Sequence, residues 1–382
     1  MSASADQLAA AFEAERPYLR RLAYGTLGSL AEADDVVQDA WLRLQRADAG
    51  AIDDLRAWLT TVVGRLALDA LGTARVRRER YVGPWLPEPI VEAAGADATF
   101  GPVASGADTR ALGEDPADRV SLDEQVTTAL LLVLERLSPA ERTAFVLHDV
   151  FGLPFGEVAE VVGRTPAAVR QLATRARRHV ADGTPRYPAS REEHADVVAA
   201  FAAAWAAGDV DGLLQVLDPE VTFRSDGGGK VVAARVPQEG AEKVAQMLVS
   251  FASVNERLGG RAHGAIVDVN GLPGLLFEDG DVRTVISVTV DRGRIVAIDA
   301  VRNPDKLRHL GLLETVPVSA AEVRAAGPSA LDPRAAARGG EGGGAGEAAR
   351  PGGGEEAGPG GGAGEAAGPG GGAEGSEREP PR

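Results

Sequence analysis

Helical periodicity runs through most of the first 180 or so residues and breaks once, over residues 83–118. Pro84, Pro87, Pro89, Gly95, Gly101, Pro102, Gly106, Gly113 and Pro116 crowd that stretch. Proline removes a backbone donor and glycine frees the backbone, so no helix continues through it. Before the break, Leu19, Leu22, Ala23, Thr26 and Leu27 recur at helical spacing. So do Val36, Val37, Ala40, Trp41 and Leu44, and then Trp58, Leu59, Val62, Val63, Leu66 and Leu71. Asp53 and Asp54 stand where the third run needs a cap. After the break the periodicity lasts to Val180, and Ser138-Pro139 and Thr165-Pro166 read as helix starts. Two all-helical segments, 1–82 and 119–185, are expected on either side of a linker.

From residue 191 the texture changes. An alanine-rich helix is expected to residue 207 and another over 239–254. Strand-like runs follow at 261–268, 273–277, 282–290 and 295–301, the last two joined by an Asp291-Arg292-Gly293 hairpin turn. Helices followed by a strand meander predict an α+β domain over 191–312. Residues 313–382 are low-complexity. The stretch 342–354 nearly repeats at 360–372 in glycine, alanine, proline and glutamate. Without large apolar residues it cannot offset ordering entropy, so disorder is expected there.

The formal net charge of −16 excludes a general nucleic-acid coat protein. Two basic islands stand out against it. Arg75, Arg77, Arg78 and Arg80 fall within six residues, and Arg164, Arg170, Arg175, Arg177 and Arg178 follow one another with no acidic residue between them. Such islands suit phosphate binding. The absence of cysteine excludes disulfides and thiolate metal sites. No signal-peptide pattern and no apolar run near 18 residues is present, so a cytoplasmic protein without membrane contact is expected.

The second island lies in a helix-turn-helix pattern. Residues 155–162 form one helix, Gly163-Arg164-Thr165 the turn, and 166–178 the second helix. Val158, Ala159 and Val162 are expected to pack on Val169 and Leu172. Arg164, Thr165, Arg170, Gln171, Thr174, Arg175 and Arg178 then share the outer face. Arginine suits guanine edges and phosphate, and glutamine suits adenine.

This segment, from Leu134-Glu-Arg-Leu-Ser-Pro-Ala-Glu-Arg142 through Arg170-Gln-Leu-Ala-Thr-Arg-Ala-Arg-Arg178, resembles sigma region 4, which reads the −35 promoter element. Ala33-Asp-Asp-Val-Val-Gln-Asp-Ala-Trp-Leu-Arg-Leu44 resembles region 2.2 of extracytoplasmic-function sigma factors. Arg56-Ala-Trp-Leu59 onward to Arg80 is similar to regions 2.3 and 2.4, which melt and read the −10 element. The resemblance implies core RNA polymerase (the β′ coiled coil and the β flap) and promoter DNA as partners, with no cofactor. It implies that Asp34, Asp35, Val36, Gln38, Asp39, Trp41 and Leu42 dock on polymerase. It also implies a base pocket near residues 46–54, with Arg75, Arg77, Arg78 and Arg80 on nearby phosphates.

Three further motifs narrow the resemblance to the SigJ-like group, sigma factors fused to a SnoaL-like, nuclear-transport-factor-2-like cone. They are Trp85-Leu86-Pro87-Glu88-Pro89, Asp226-Gly227-Gly228-Gly229-Lys230 and Asn303-Pro304-Asp305-Lys306-Leu307. The resemblance implies that the last two face the sigma core and tune it. The expectation is that an Asp226 loop tip contacts the linker near residues 85–89 and that Asn303 caps the last helix with Pro304 at its first position. Because SnoaL-like relatives include enzymes, His263, Asp268 and Asp226 are the candidate acids or bases, though no pair has convincing spacing. Two alternatives stay open: a helix-turn-helix regulator that binds DNA without polymerase, and a SnoaL-class enzyme or sensor of an unknown small ligand with a DNA-binding appendage.

Overall fold

The computed structural model describes residues 5–93, 126–185, 187–257, 263–279 and 282–310; the tail 313–382, with its expected disorder, lies outside them. The N-terminal helices are α1 (Ala5–Leu27), α2 (Leu30–Leu44) and α3 (Leu55–Glu79). Ser29 accepts from the Glu32 N–H to cap α2, and Asp54 accepts from the Ala57 N–H to cap α3. After the linker come α4 (Thr128–Leu134), α5 (Pro139–Phe145, prolonged by a π turn over Val146–Val150), α6 (Phe155–Val162) and α7 (Pro166–Gly183). Ser138 and Glu141 form a capping box, and Thr165 accepts from the Ala168 N–H. Gly163 ends α6 at φ 66°, a left-handed conformation that glycine adopts without strain.

The two helical segments share one apolar core. Leu22, Leu59 and Val63 belong to the same buried cluster as Leu147, Val158, Val161 and Val169. Gly64 permits the approach of α3 to α6, because a Cβ there would come within 2.9 Å of a Val161 methyl. Val162, expected inward, is only partly buried, and Val161 takes the inner position. The reason is that α6 packs on α3 as well as on α7, and the sequence pattern showed only the second.

In the C-terminal domain, α8 (Arg191–Ala207), α9 (Val210–Val216) and α10 (Ala241–Arg257) pack against a seven-stranded sheet. Its strands are β1 (Val91–Ala93), β2 (Leu217–Asp226), β3 (Gln238–Glu239), β4 (His263–Val269), β5 (Leu272–Asp279), β6 (Val282–Asp291) and β7 (Arg294–Val301). The order is β1-β4-β5-β6-β7-β2-β3. Strands β4 to β7 form the expected antiparallel meander, with positive φ at Asn270 and Arg292 in its tight turns. Three strands were not expected: β2, which pairs parallel with β7; the two-residue β3, which pairs antiparallel with β2; and β1, which the linker itself donates antiparallel to β4. The segment after β7 also differs. Residues 304–307 form turns, and a single 3₁₀ turn over Arg308–Leu310 stands where a last helix was expected.

Linker and C-terminal segment together cover the sheet face opposite the helices. Leu86, Val91, Leu307 and Leu310 cluster there with Val267, Leu276, Val285 and Val301. No described helix is long and apolar enough to cross a membrane. One consequence concerns the shared helical core. Gly64→Leu should overpack the α3–α6 contact by about 1–3 kcal/mol. Hydrogen exchange should then accelerate in α3 and α6 and stay unchanged in β5 to β7; unchanged exchange in α6 would contradict the shared core.

Candidate functional site

The linker is held through its main chain. Asp226 ends β2 with no solvent exposure, where the sequence suggested a loop tip. Its carboxylate accepts from the Leu86 N–H (2.9 Å), the Tyr81 hydroxyl (2.6 Å), the Gly228 N–H (3.0 Å) and Lys306 Nζ (2.7 Å). Lys306 Nζ also donates to the Leu86 carbonyl, so both polar groups of one linker residue are clamped from the C-terminal domain. Burial pulls the Lys306 ammonium below its ordinary pKa, and the adjacent Asp226 opposes that pull. Burial and the Asp226 carboxylate push the Tyr81 hydroxyl up, so it remains a donor. Asn303 donates from Nδ2 to the Tyr81 oxygen (2.7 Å) and accepts at Oδ1 from the Asp305 N–H (3.0 Å). Asn303 thus orders a turn and a tyrosine rather than capping a helix. Gly228 sits at φ 62°, and any Cβ there would overlap Asn303. Lys230 pairs with Asp305 at the surface.

Trp85 lies between two cations. The Arg78 guanidinium is 3.7 Å from the ring centroid and Lys306 Nζ is 4.0 Å from it. Arg78 also donates to the Leu27 carbonyl (2.8 Å) and pairs with Glu135, which in turn pairs with the buried Arg142. This corrects the expectation for Arg78. It is a half-buried junction residue whose guanidinium is committed to α1, the linker and α4–α5, where a free surface cation was expected.

Glu88 makes a second anchor. It accepts from Ser29 Oγ (2.8 Å) and from the Leu30 N–H (2.8 Å), so a linker carboxylate sits on the N-terminus of α2. Asn270, in the β4–β5 turn, makes a third. It donates to the Tyr24 hydroxyl oxygen (2.7 Å), accepts from the Ile90 N–H (3.2 Å) and accepts weakly from the Thr128 hydroxyl (3.4 Å). Pro87 and Pro89 are buried, and His309 Nε2 donates to the Pro89 carbonyl (2.9 Å). Sequence reasoning missed Tyr81, Asn270, Glu135 and His309. The Asn270-Gly271 pair was legible as a turn, yet nothing in the sequence showed what the asparagine would touch.

On the helix-turn-helix, Arg164, Thr165, Arg170, Gln171, Thr174, Arg175 and Arg178 are all exposed. They do not all stand free. Arg175 pairs with Glu141 (2.7 Å), the Arg170 guanidinium lies 5.3 Å from the Phe155 ring centroid, and Thr174 Oγ1 donates to the Arg170 carbonyl (2.8 Å). At the end of α3, Arg77 pairs with Glu32 and Arg80 is exposed; the Arg75 side chain lies outside the described residues.

On α2, Asp34, Asp35, Gln38, Asp39 and Leu42 are exposed, and Asp34 accepts from Arg20 (2.6 Å). Val36 does not join that face. It is buried in the helical core, and Trp41 packs its ring 5.0 Å from Phe12. Of the acid–base candidates in the C-terminal domain, Asp268 pairs with Arg191 (2.5 Å), Asp226 is committed to Lys306, and the His263 side chain lies outside the described residues. The described residues contain no group of histidine and carboxylate side chains that could hold a metal.

Comparison with known proteins gives the context for this arrangement. Residues 11–77 match the family model "Sigma-70 region 2" and residues 127–180 match "Sigma-70, region 4". The ECF RNA polymerase sigma factor SigJ of Mycobacterium tuberculosis is 42% identical over 311 residues, covering 77% of this chain and 91% of the relative. A probable ECF sigma factor of the same organism, SigI, is 38% identical over 307 residues, covering 79% and 95%. The crystal structure of M. tuberculosis SigJ superposes with a TM-score of 0.61 at 38% identity over 79% of this chain and 98% of that one, and so includes the C-terminal domain. Region 2 and region 4 supply polymerase binding and promoter recognition, and the chain belongs to the extracytoplasmic-function RNA polymerase sigma factors, which are initiation factors and not enzymes.

Proposed function

We propose that this sigma factor is regulated in cis by its C-terminal domain, acting through the clamp on Leu86. The carrying observation is the pair of hydrogen bonds from one linker residue to Asp226 and Lys306. Linker position decides where region 4 stands relative to region 2. A domain that fixes the linker by its main chain therefore sets the geometry of the two DNA-reading parts without needing a particular linker side chain at that point. In this reading the exposed carboxylates Asp34, Asp35 and Asp39, with Gln38 and Leu42, meet the β′ coiled coil, and region 4 meets the β flap. Arg164, Arg170, Gln171 and Arg178 face the −35 element, and Arg77 and Arg80 face DNA near the −10 element. A small ligand bound in the C-terminal cone would act by shifting the strand end that carries Asp226.

Two outcomes test the reading. Lys306→Ala leaves Asp226 buried without its cation, at a cost of about 3–5 kcal/mol. Faster hydrogen exchange at residues 81–90 and a changed run-off yield with core polymerase, on the DNA upstream of the protein's own gene, are expected. Loosened exchange with unaltered run-off would separate the clamp from regulation and sink the proposal. For region 4, Arg170→Ala and Arg178→Ala should each weaken promoter binding by about 1–3 kcal/mol if they read bases, with relaxed specificity at one position. A uniform loss across sequences with a shallower salt dependence would instead make them phosphate contacts.

A further inference from the structure

We propose that the loop over residues 227–237 of the C-terminal domain touches promoter DNA beside the end of α3. Arg235 would meet the phosphate backbone, and Val232 and Val236 the sugar and base edges. The inference rests on the reading that the α3 end lies near the −10 element.

The loop and the α3 end form one continuous surface. A Cβ at Gly83 would sit 3.7 Å from Arg235 Cα, and one at Gly229 would sit 3.3 Å from Val82 Cβ. Arg80 lies three residues before Gly83. Both Arg80 and Arg235 are exposed, and neither side chain has an ion pair or hydrogen bond among the described residues. Their neighbours are committed: Arg77 to Glu32, Arg78 to Glu135, Lys230 to Asp305, and Arg302 to the Val232 carbonyl and Thr284. Among the described residues no carboxylate is paired with either of these two cations. Asp305 is shared by Lys230 and Arg308.

In a chain of net charge −16, partners for a guanidinium are abundant. Two unpaired arginines from different domains at one seam therefore suit an external anion. Exposed apolar side chains gather at the same place. Of the six large hydrophobics exposed among the described residues, Val82 (52%), Val232 (84%) and Val236 (64%) all lie on this seam. Aliphatic side chains next to arginine, bordering a helix that reads DNA, suit a groove or fork edge, where apolar groups meet sugars and unstacked bases. Duplex DNA just beside the melted region supplies both the phosphates and the apolar edges. An acidic protein surface would supply only the charge.

The test uses the full chain with core polymerase on a promoter fragment. Arg235→Ala removes an unpaired exposed side chain, so folding is expected to be unaffected. The slope of log affinity against log salt should become shallower by about 0.9 for one lost phosphate contact. Arg292→Ala, an equal charge loss at an exposed position in the β6–β7 turn, at the end of β7 away from Val301, should leave the slope unchanged. A benzophenone side chain at position 232 should crosslink to labelled DNA next to the −10 element. An unchanged slope for Arg235→Ala, or crosslinks to polymerase subunits in place of DNA, overturns the proposal. Arg80→Ala separates the premise from the inference. A slope unmoved at Arg80 removes the reading of the α3 end and this proposal with it. A slope that moves at Arg80 and not at Arg235 removes this proposal alone.

Discussion

One stack of alternating charge and ring runs through the centre of this protein. Glu135 meets Arg78, Arg78 lies on Trp85, Trp85 lies on Lys306, and Lys306 meets Asp226. Its members come from α4–α5, α3, linker, C-terminal segment and β2 in turn. Each cation faces an anion on one side and an aromatic face on the other. That arrangement matters because an ammonium or guanidinium taken out of water loses several kcal/mol of solvation. The carboxylates return part of it, and a desolvated tryptophan face returns up to about 2 kcal/mol more. Replacing the tryptophan with an aliphatic residue would keep the apolar area but leave two like charges, one buried and one half-buried, facing each other.

Buried ion pairs are weak evidence of stability, because a well-packed apolar cluster often does as well. They are better evidence of a specified geometry, since a carboxylate that accepts four hydrogen bonds tolerates little displacement. Asp226 is in that position. The apolar cluster around Leu86, Val91, Leu307 and Leu310 supplies area for the same interface without fixing its register. Glu88 and Asn270 fix two more points, one on α2 and one on the α1 tyrosine. Three polar anchors over a short stretch of linker explain why its two prolines are buried: with their main chain pinned, rigid rings fit where a mobile loop would not.

Much of this was legible in the sequence, and what was not has a common cause. The caps at Asp54, Ser138 and Thr165 were readable because a cap is a local contract between residues three apart. The meander β4 to β7 was readable because its alternation and its tight turns are local too. Strand β2 was not, since its pairing with β7 is parallel and spans the length of the domain. Strand β1 was hidden inside a proline-rich linker, where only the distant β4 edge makes three residues extended. The resemblance put Arg78 on phosphate, and Asp226 read as a loop tip touching the linker near residues 85–89, so neither was expected inside a packed junction. Their placement depends on partners that lie 57 and 80 residues away along the chain. Val36 failed for the opposite reason: a docking face inferred from a continuous motif ignores that a helix buries one side.

The position of β1 changes how region 4 should be thought of. The C-terminal sheet takes its edge strand from residues that precede region 4 and the rest of its strands from residues that follow it. On the far side of region 4, the Tyr187 N–H donates to Asp291 and Pro188 bridges to the same residue, just past the end of α7. In the sequence, region 4 thus lies between two segments, β1 and residues 187–188, that both pair with the C-terminal domain. A separate inhibitor acts by binding and leaving, and its effect depends on concentration. A domain carried on the same chain is instead present at an effective concentration set by its connections. Any control it exerts has to come from a change in shape at those attachments, of which the clamp on Leu86 is the most tightly specified.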